Sequence, residues 1–331
     1  MYRILIILIS VIGLSLSIRA QDAHLSMYDA APLFLNPALT GVVDGDFRFH
    51  GQYRTQWKSV NYKPYTSYLL SFDMPFKKWG FGIQLNEFRA GKGNYNSFQG
   101  VVSAAYNTAV DKNKNHMFSF GVQGGAVQKS IEYPLLSFNN QYSSANGGYF
   151  EESIATGENI DARTIYLPSL NAGFMYYHAK QNSRLNPFIG VSAFNLIKAK
   201  ESFQGMDNRI PMRFYAHVGT RVNITETFYL IPKFLFMQQD EFSEQSFALE
   251  AGYFLKSSEL YLLAGIIYRN KDAAVITLGG KLDRFTLKLA YDINMSSLST
   301  ASSGRGGFEA SLTYVHNKRR NKDFEKICPR L

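Results

Sequence analysis

Phe47-Arg48-Phe49-His50-Gly51-Gln52-Tyr53-Arg54-Thr55-Gln56-Trp57 alternates without a break. Successive side chains of a strand point to opposite faces, so Phe47, Phe49, Gly51, Tyr53, Thr55 and Trp57 share one side. Arg48, His50, Gln52, Arg54 and Gln56 share the other. One residue of slip would exchange the two faces, which sets the register strongly. The period returns toward the end of the chain. Phe285, Leu287, Leu289, Tyr291 and Ile293 oppose Thr286, Lys288, Ala290 and Asp292, and Phe308, Ala310, Leu312 and Tyr314 oppose Glu309, Ser311 and Thr313.

Working outward, segments of this kind fall at 47–57, 66–74, 79–87, 97–107, 116–127, 167–178, 187–195, 212–222, 228–237, 246–254, 260–269, 274–282, 284–293 and 307–315. Each is close to the 9–11 residues that a tilted membrane strand needs. Pro232 removes a ladder donor from one of them, and Ile189, Val191 and Ala193 give another little bulk. The connections support the same reading, since an outer-membrane barrel alternates short periplasmic turns with longer outer loops. With the mature start inside, the odd connections 58–65, 88–96, 128–166, 196–211 and 294–306 are long, while the even ones 75–78, 108–115 and 179–186 are shorter and Asp283 is nearly a connection by itself. The odd connection 270–273 is short and breaks the rule.

The expected fold is therefore all-β, a transmembrane antiparallel β-barrel of about fourteen strands. A soluble sandwich would also alternate. Two features favour the membrane. Phe, Tyr and Leu carry the apolar face, and Trp57, Tyr68, Trp79, Tyr106, Tyr177, Tyr268, Tyr291 and Tyr314 stand at strand ends as an interfacial girdle would. The opposite face keeps Arg54, Arg213, Arg221, Glu250, Lys288 and Glu309, which a wet lumen tolerates and lipid does not. Composition agrees: of 331 residues 18% are charged, against roughly 25% in an average soluble domain. A single Cys328 excludes an internal disulfide and a thiolate metal site.

The first twenty residues read as a signal peptide, with Arg3 before an apolar stretch from Ile4 to Leu16 and cleavage expected between Ala20 and Gln21. That stretch is too short to span a bilayer. Residues 21–46 have little regular period, carry Pro32 and Pro37, and are expected as a plug in the lumen or a segment on the periplasmic rim. Asn36-Pro37 reads as the start of a turn. The barrel is expected over 47–315, and 316–331 as a basic periplasmic tail able to touch anionic headgroups or an acidic partner. The positive balance does not indicate nucleic-acid binding in an exported chain.

Chemistry has little support. His24, His50, His116, His178, His217 and His316 are scattered without ligand spacing, and no nucleophile elbow or phosphate loop occurs. Gly121, Gly124 and Gly125 lie in a strand pattern, where Gly permits a bend or a close backbone approach rather than cradling a phosphate. No catalytic residue, metal or cofactor is expected.

The two ends carry more distinctive pieces: Asn36-Pro37-Ala38 with Gly41, then Arg54-Thr55-Gln56-Trp57, and Cys328-Pro329-Arg330 near the C-terminus. With Ser71-Phe72-Asp73-Met74-Pro75, Gly80-Phe81-Gly82 and Gly190–Leu196, these pieces resemble the PorP/SprF family of type IX secretion-associated outer-membrane proteins of Bacteroidetes. Asp29-Ala30-Ala31 and the terminal Leu331 depart from that pattern. The resemblance implies a non-enzymatic accessory of secretion or gliding. Such a protein would help an adhesin or other cargo protein reach or stay on the cell surface, with outer-membrane lipid and secretion-machine components as partners. It implies structural or partner-contact roles for Asn36, Pro37, Ala38, Gly41, Arg54, Gln56, Trp57, Cys328, Pro329 and Arg330. Long loops on a rigid wall are the usual carriers of recognition, so Tyr133, Phe138, Tyr142, Tyr149 and Phe150 in the longest loop are the candidate outer contacts. Packing of that loop on itself, or on the lumen mouth, would use the same rings. The other reading of such a barrel is a channel of the fourteen-strand fatty-acid type.

Overall fold

The computed structural model describes residues 24–58, 63–144, 148–151, 153–157, 163–180, 183–296 and 299–317. The expected signal peptide, its cleavage site and the Cys328-Pro329-Arg330 end lie outside the described residues. Fourteen antiparallel strands close into one barrel in chain order. They are β1 Phe47–Gln56, β2 Tyr65–Phe76, β3 Trp79–Ala90, β4 Tyr95–Ala109, β5 His116–Ser130, β6 Thr164–His178, β7 Leu185–Phe194, β8 Arg213–Asn223, β9 Phe228–Gln239, β10 Phe242–Leu255, β11 Leu260–Arg269, β12 Ala273–Leu282, β13 Phe285–Asn294 and β14 Arg305–His316. Closure pairs β1 with β14 from Phe47 opposite His316 to Gln56 opposite Gly307, so no edge is left at the seam. A sandwich would have left edges.

The alternation places side chains as the sequence demands. On β1 Phe49 and Tyr53 face outward while Arg48, His50, Gln52 and Arg54 are buried inside. The outward side is an apolar band, with Leu70, Val102, Ile266 and Leu278 each about 60% exposed. Facing lipid is what that exposure means here. Aromatic pairs mark the two rims: Trp79 with Tyr106 and Phe47 with His316 on the short-turn side, Trp57 with Tyr65 on the other. One expected girdle residue is misplaced, however. Tyr177 is buried inside and its neighbour Tyr176 takes the outer place beside Phe118 and His116, because the register of β6 follows its pairing with β5.

Several strands run beyond their expected bounds, so the loop expected at 88–96 is mostly β3 and β4, and the last strand reaches His316. The longest loop spans 131–163, and the odd connections 91–94 and 240–241 are short, as 270–272 is. The regular ladder breaks between Tyr291 and Ile293, where β13 slips against β14. Gly306 makes that bulge possible, as a Cβ there would meet the Asp292 carbonyl oxygen at 2.7 Å. The bulge lies at Asp292, a residue on which the lumen depends.

Candidate functional site: a lumen filled by the chain's own start

Residues 24–46 lie inside the barrel. They form short turns, including the helix α1 Pro32–Leu35 and a 3-10 turn Pro37–Leu39, and Leu33, Leu35, Asn36, Ala38, Leu39 and Thr40 are almost wholly inaccessible. Backbone in this irregular form needs partners for its polar groups, and the inward side chains of the wall supply them. Ser192 Oγ donates to the Leu35 carbonyl oxygen at 2.7 Å, and Ser119 Oγ donates to that of Ala38 at 2.5 Å.

Asn36 is the hub. Its Oδ1 accepts from the Ala38 N–H at 2.9 Å, capping the 3-10 turn, while its Nδ2 reaches the carbonyl oxygens of Phe174 (3.1 Å) and Val191 (3.3 Å) and His217 Nε2 (3.2 Å). One amide thus ties β6, β7 and β8 together. Pro37 fixes the next φ for the turn. Wall glycines make the close approach possible: a Cβ on Gly121 would collide with the Pro37 backbone, one on Gly173 with Asn36 Oδ1, and one on Gly80 with the Thr40 carbonyl. Gly41 has φ +70° and its N–H donates to Asp73 Oδ2 at 2.7 Å, while Arg48 clamps the same carboxylate at 2.8 and 2.9 Å. Asn36→Ala is expected to cost on the order of 1–3 kcal/mol by orphaning these groups, seen as lower plug resistance to limited proteolysis.

Two charged latches hold the rest. Asp29 pairs with Lys233, which also meets Glu250 at 3.4 Å, and Lys288 joins Glu250 at 2.6 Å and Asp29 at 4.0 Å. Burial pushes the Asp29 carboxyl up, but the Lys233 and Lys288 ammoniums outweigh it and hold it below the usual carboxylate range. Farther along, Glu309 accepts from the backbone N–H groups of Ser26 (2.8 Å) and Met27 (3.0 Å), and Ser26 Oγ donates to Asp292 Oδ2 at 2.6 Å. Arg54 binds Asp292 at 2.9 Å and the His24 carbonyl oxygen. Burial, with the charges of Arg269, Arg54 and Arg213 beside it, keeps His24 well below its ordinary pKa and so neutral. Since Arg54, Asp292 and Arg269 lie near the long-loop ends of their strands, the segment climbs through the lumen from Asp46 to His24.

The long-loop mouth has its own cover. Ile210 from the 195–212 loop packs with Val127 and Leu167 inside, and Lys129 Nζ pairs with Glu201 Oε1 at 2.5 Å. Glu201→Gln is expected to expose the 195–212 loop to protease at a cost of roughly 1.5–3 kcal/mol. Of the sequence-derived candidates, Asn36, Pro37, Ala38 and Gly41 thus come together in the lumen, while Arg54 faces the lumen apart from them, at His24 and Asp292 near the long-loop end. Gln56 and Trp57 stand at the outer end of β1, Trp57 with its ring against Tyr65. Tyr142, Tyr149 and Phe150 are exposed, with Tyr142 and Phe150 in edge contact at 5.4 Å; Tyr133 meets Phe203 of the neighbouring loop at 6.3 Å, and Phe138 is half-buried. Asp29, Asp73, Lys233, Asp292 and the wall glycines were not singled out beforehand as plug contacts.

The family model described as type IX secretion system membrane protein PorP/SprF matches residues 17–314. The chain belongs to that family. No curated relative matches the sequence. Among solved structures this PorP/SprF barrel is similar to the Ralstonia pickettii toluene transporter TbuX, with 12% identity and a TM-score of 0.52 over 86% of this chain and 93% of that one. It is also similar to the deltaS2S3 mutant of the TodX monoaromatic hydrocarbon channel, with 12% identity and a TM-score of 0.53 over 87% and 94%. At such identity the likeness is one of fold. It places this PorP/SprF protein among outer-membrane barrels, and neither the family description nor these neighbours is that of an enzyme.

Proposed function

We propose that this protein is a docking scaffold of type IX secretion and gliding, which supports the secretion or surface anchoring of a partner adhesin or other cargo protein. The filled lumen carries this reading. A segment held at Asn36, Asp29, Gly41 and Ser26 occupies the space that a conduit would need, and the 195–212 loop covers the mouth. What the molecule then offers is its two faces, and on the long-loop face Tyr142, Tyr149 and Phe150 are anchors of the kind that interfaces favour. A channel for small apolar solutes is the second reading, favoured by the likeness in fold to hydrocarbon channels.

One experiment separates them. Deleting the gene is expected to remove a partner adhesin from the cell surface, measured by protease shaving, while the purified protein gives no steady current in a planar bilayer. Intact adhesin display together with steady flux of a small solute would overturn the scaffold and support the channel. Replacing Tyr142, Tyr149 and Phe150 by Ala together is expected to weaken cargo display without altering heat-modifiable migration of the barrel.

A further inference from the structure

The rim opposite the long loops is built from short turns, and three consecutive ones form a continuous arc. They are 77–78, 110–115 and 179–184, joining β2 to β3, β4 to β5 and β6 to β7. Hydrogen bonds stitch them side by side. The Asn107 N–H at the foot of β4 donates to the Lys78 carbonyl oxygen at 2.6 Å, and the Ala179 N–H donates to that of Asn115 at 2.7 Å. On this arc Lys77, Lys78, Lys112, Lys114, Lys180 and Arg184 are all exposed.

None of these six cations has a carboxylate within ion-pairing distance among the described residues. The acid on the arc, Asp111, is committed to the turn, with its carboxylate accepting from the His116 N–H at 2.8 Å. Lys77 has the ring of Phe76 at 5.6 Å as its neighbour. Elsewhere on the same rim two cations do have acidic partners: Lys256 pairs with Glu226 at 3.5 Å, and Arg284 with Asp283 at 3.8 Å. Soluble surfaces usually interleave the two signs, because like charges crowded together repel. Turns in hydrogen-bonding contact lie within a Debye length, about 8 Å at physiological salt, of their neighbours, so their fields add instead of being screened apart.

The arrangement also says what sort of partner fits. Phospholipid headgroups encircle the whole rim, so attraction to them would be served by cations spread around it. Among the described residues, the six unmatched cations are gathered between β2 and β7, and the two matched pairs lie beyond. We infer that this arc docks an acidic face of a periplasmic protein of the secretion machine. The inference rests on family membership and on the short turns facing the periplasm, as they do in outer-membrane barrels. Charges in such a rim mainly set the rate of encounter and its salt dependence.

A photo-crosslinking amino acid at Lys112 in living cells tests this. A discrete protein adduct is expected, falling about tenfold or more when Lys77→Glu, Lys114→Glu and Lys180→Glu are combined and retained when the same three become Arg. The adducted protein, identified by mass spectrometry, is expected to regain crosslinking to the Glu variant when acids on its own surface are reversed to Lys. The same probe at Glu226 is expected to give no such adduct. Unchanged heat-modifiable migration confirms that each variant barrel is folded. An adduct indifferent to charge reversal, or none at all, overturns the inference. So does finding that the triple Glu variant in nanodiscs loses binding only to vesicles of phosphatidylethanolamine with phosphatidylglycerol, which assigns the arc to lipid. Loss of the adduct with normal adhesin display would keep the arc and count against the cargo reading instead.

Discussion

Gly121→Val is expected to drive the N-terminal segment out of the lumen. A Cβ at this position would already collide with the backbone of Pro37 and with the Ala38 nitrogen. The wall has nowhere to go, since β5 is paired along its length with β4 on one side and β6 on the other. The segment must therefore give way, and overpacking of this kind costs about 1–3 kcal/mol even for a single added side chain. Once Pro37 moves, Asn36 loses its grip on β6, β7 and β8, because the same turn carries both residues. The purified variant is expected to show steady current in a planar bilayer and cleavage within 24–46 under limited proteolysis, with the barrel still heat-modifiable. Gly124→Ala is the matched control, as a Cβ there meets nothing nearer than the Ser169 carbonyl at 3.9 Å. A Gly121→Val protein as silent and protease-resistant as the control would mean that the close approach at Pro37 does not hold the plug.

The contrast between these two glycines also shows how far the sequence could be read. The fourteen strands are legible because a lipid-facing wall imposes one rule, repeated every two residues, that each segment states by itself. Closure in chain order follows from short connections. The plug obeys no such period. Its conformation is dictated by partners far along the chain, with Ser26 bonding Glu309 across 283 positions and Asn36 reaching His217 across 181. Asn36-Pro37 is visible as a turn, yet nothing local says that its amide will reach carbonyls on two strands. Gly121, Gly124 and Gly125 look alike in sequence; only Gly121 meets the plug, while Gly125 faces the backbone of Gly100 and Val101 within the wall. Lumen charges were legible as a set on the polar face. Which of them bind plug rather than water was not, because that depends on where an irregular segment rests. Tyr177 was misread for a related reason, since at a strand end either aromatic neighbour can occupy the girdle and β5 pairing decides.

Asp29→Asn is expected to have the largest effect of any charge substitution in the lumen. It leaves Lys233 and Lys288 facing Glu250 alone, two buried ammoniums against one carboxylate. Removing one partner from a buried ionic cluster typically costs about 3–5 kcal/mol, because the remaining charge has been stripped of water without full compensation. Restoring the balance with Lys288→Gln in the same chain is expected to recover part of that loss, with a coupling of about 1–3 kcal/mol. Acid should mimic the single substitution. The folded carboxyl of Asp29 is held below its unfolded value, so its contribution is complete above roughly pH 4, the unfolded aspartate value, and declines as pH falls from there toward the folded one. Protease resistance of 24–46 in the wild-type barrel is therefore expected to decline on acidification below that point. The Asp29→Asn variant, having no carboxyl to protonate at this place, starts lower and follows a shallower acid limb. Two parallel pH curves would show that Asp29 does not anchor the segment. The latch would then have to be sought at Glu309, where the N–H groups of Ser26 and Met27 converge.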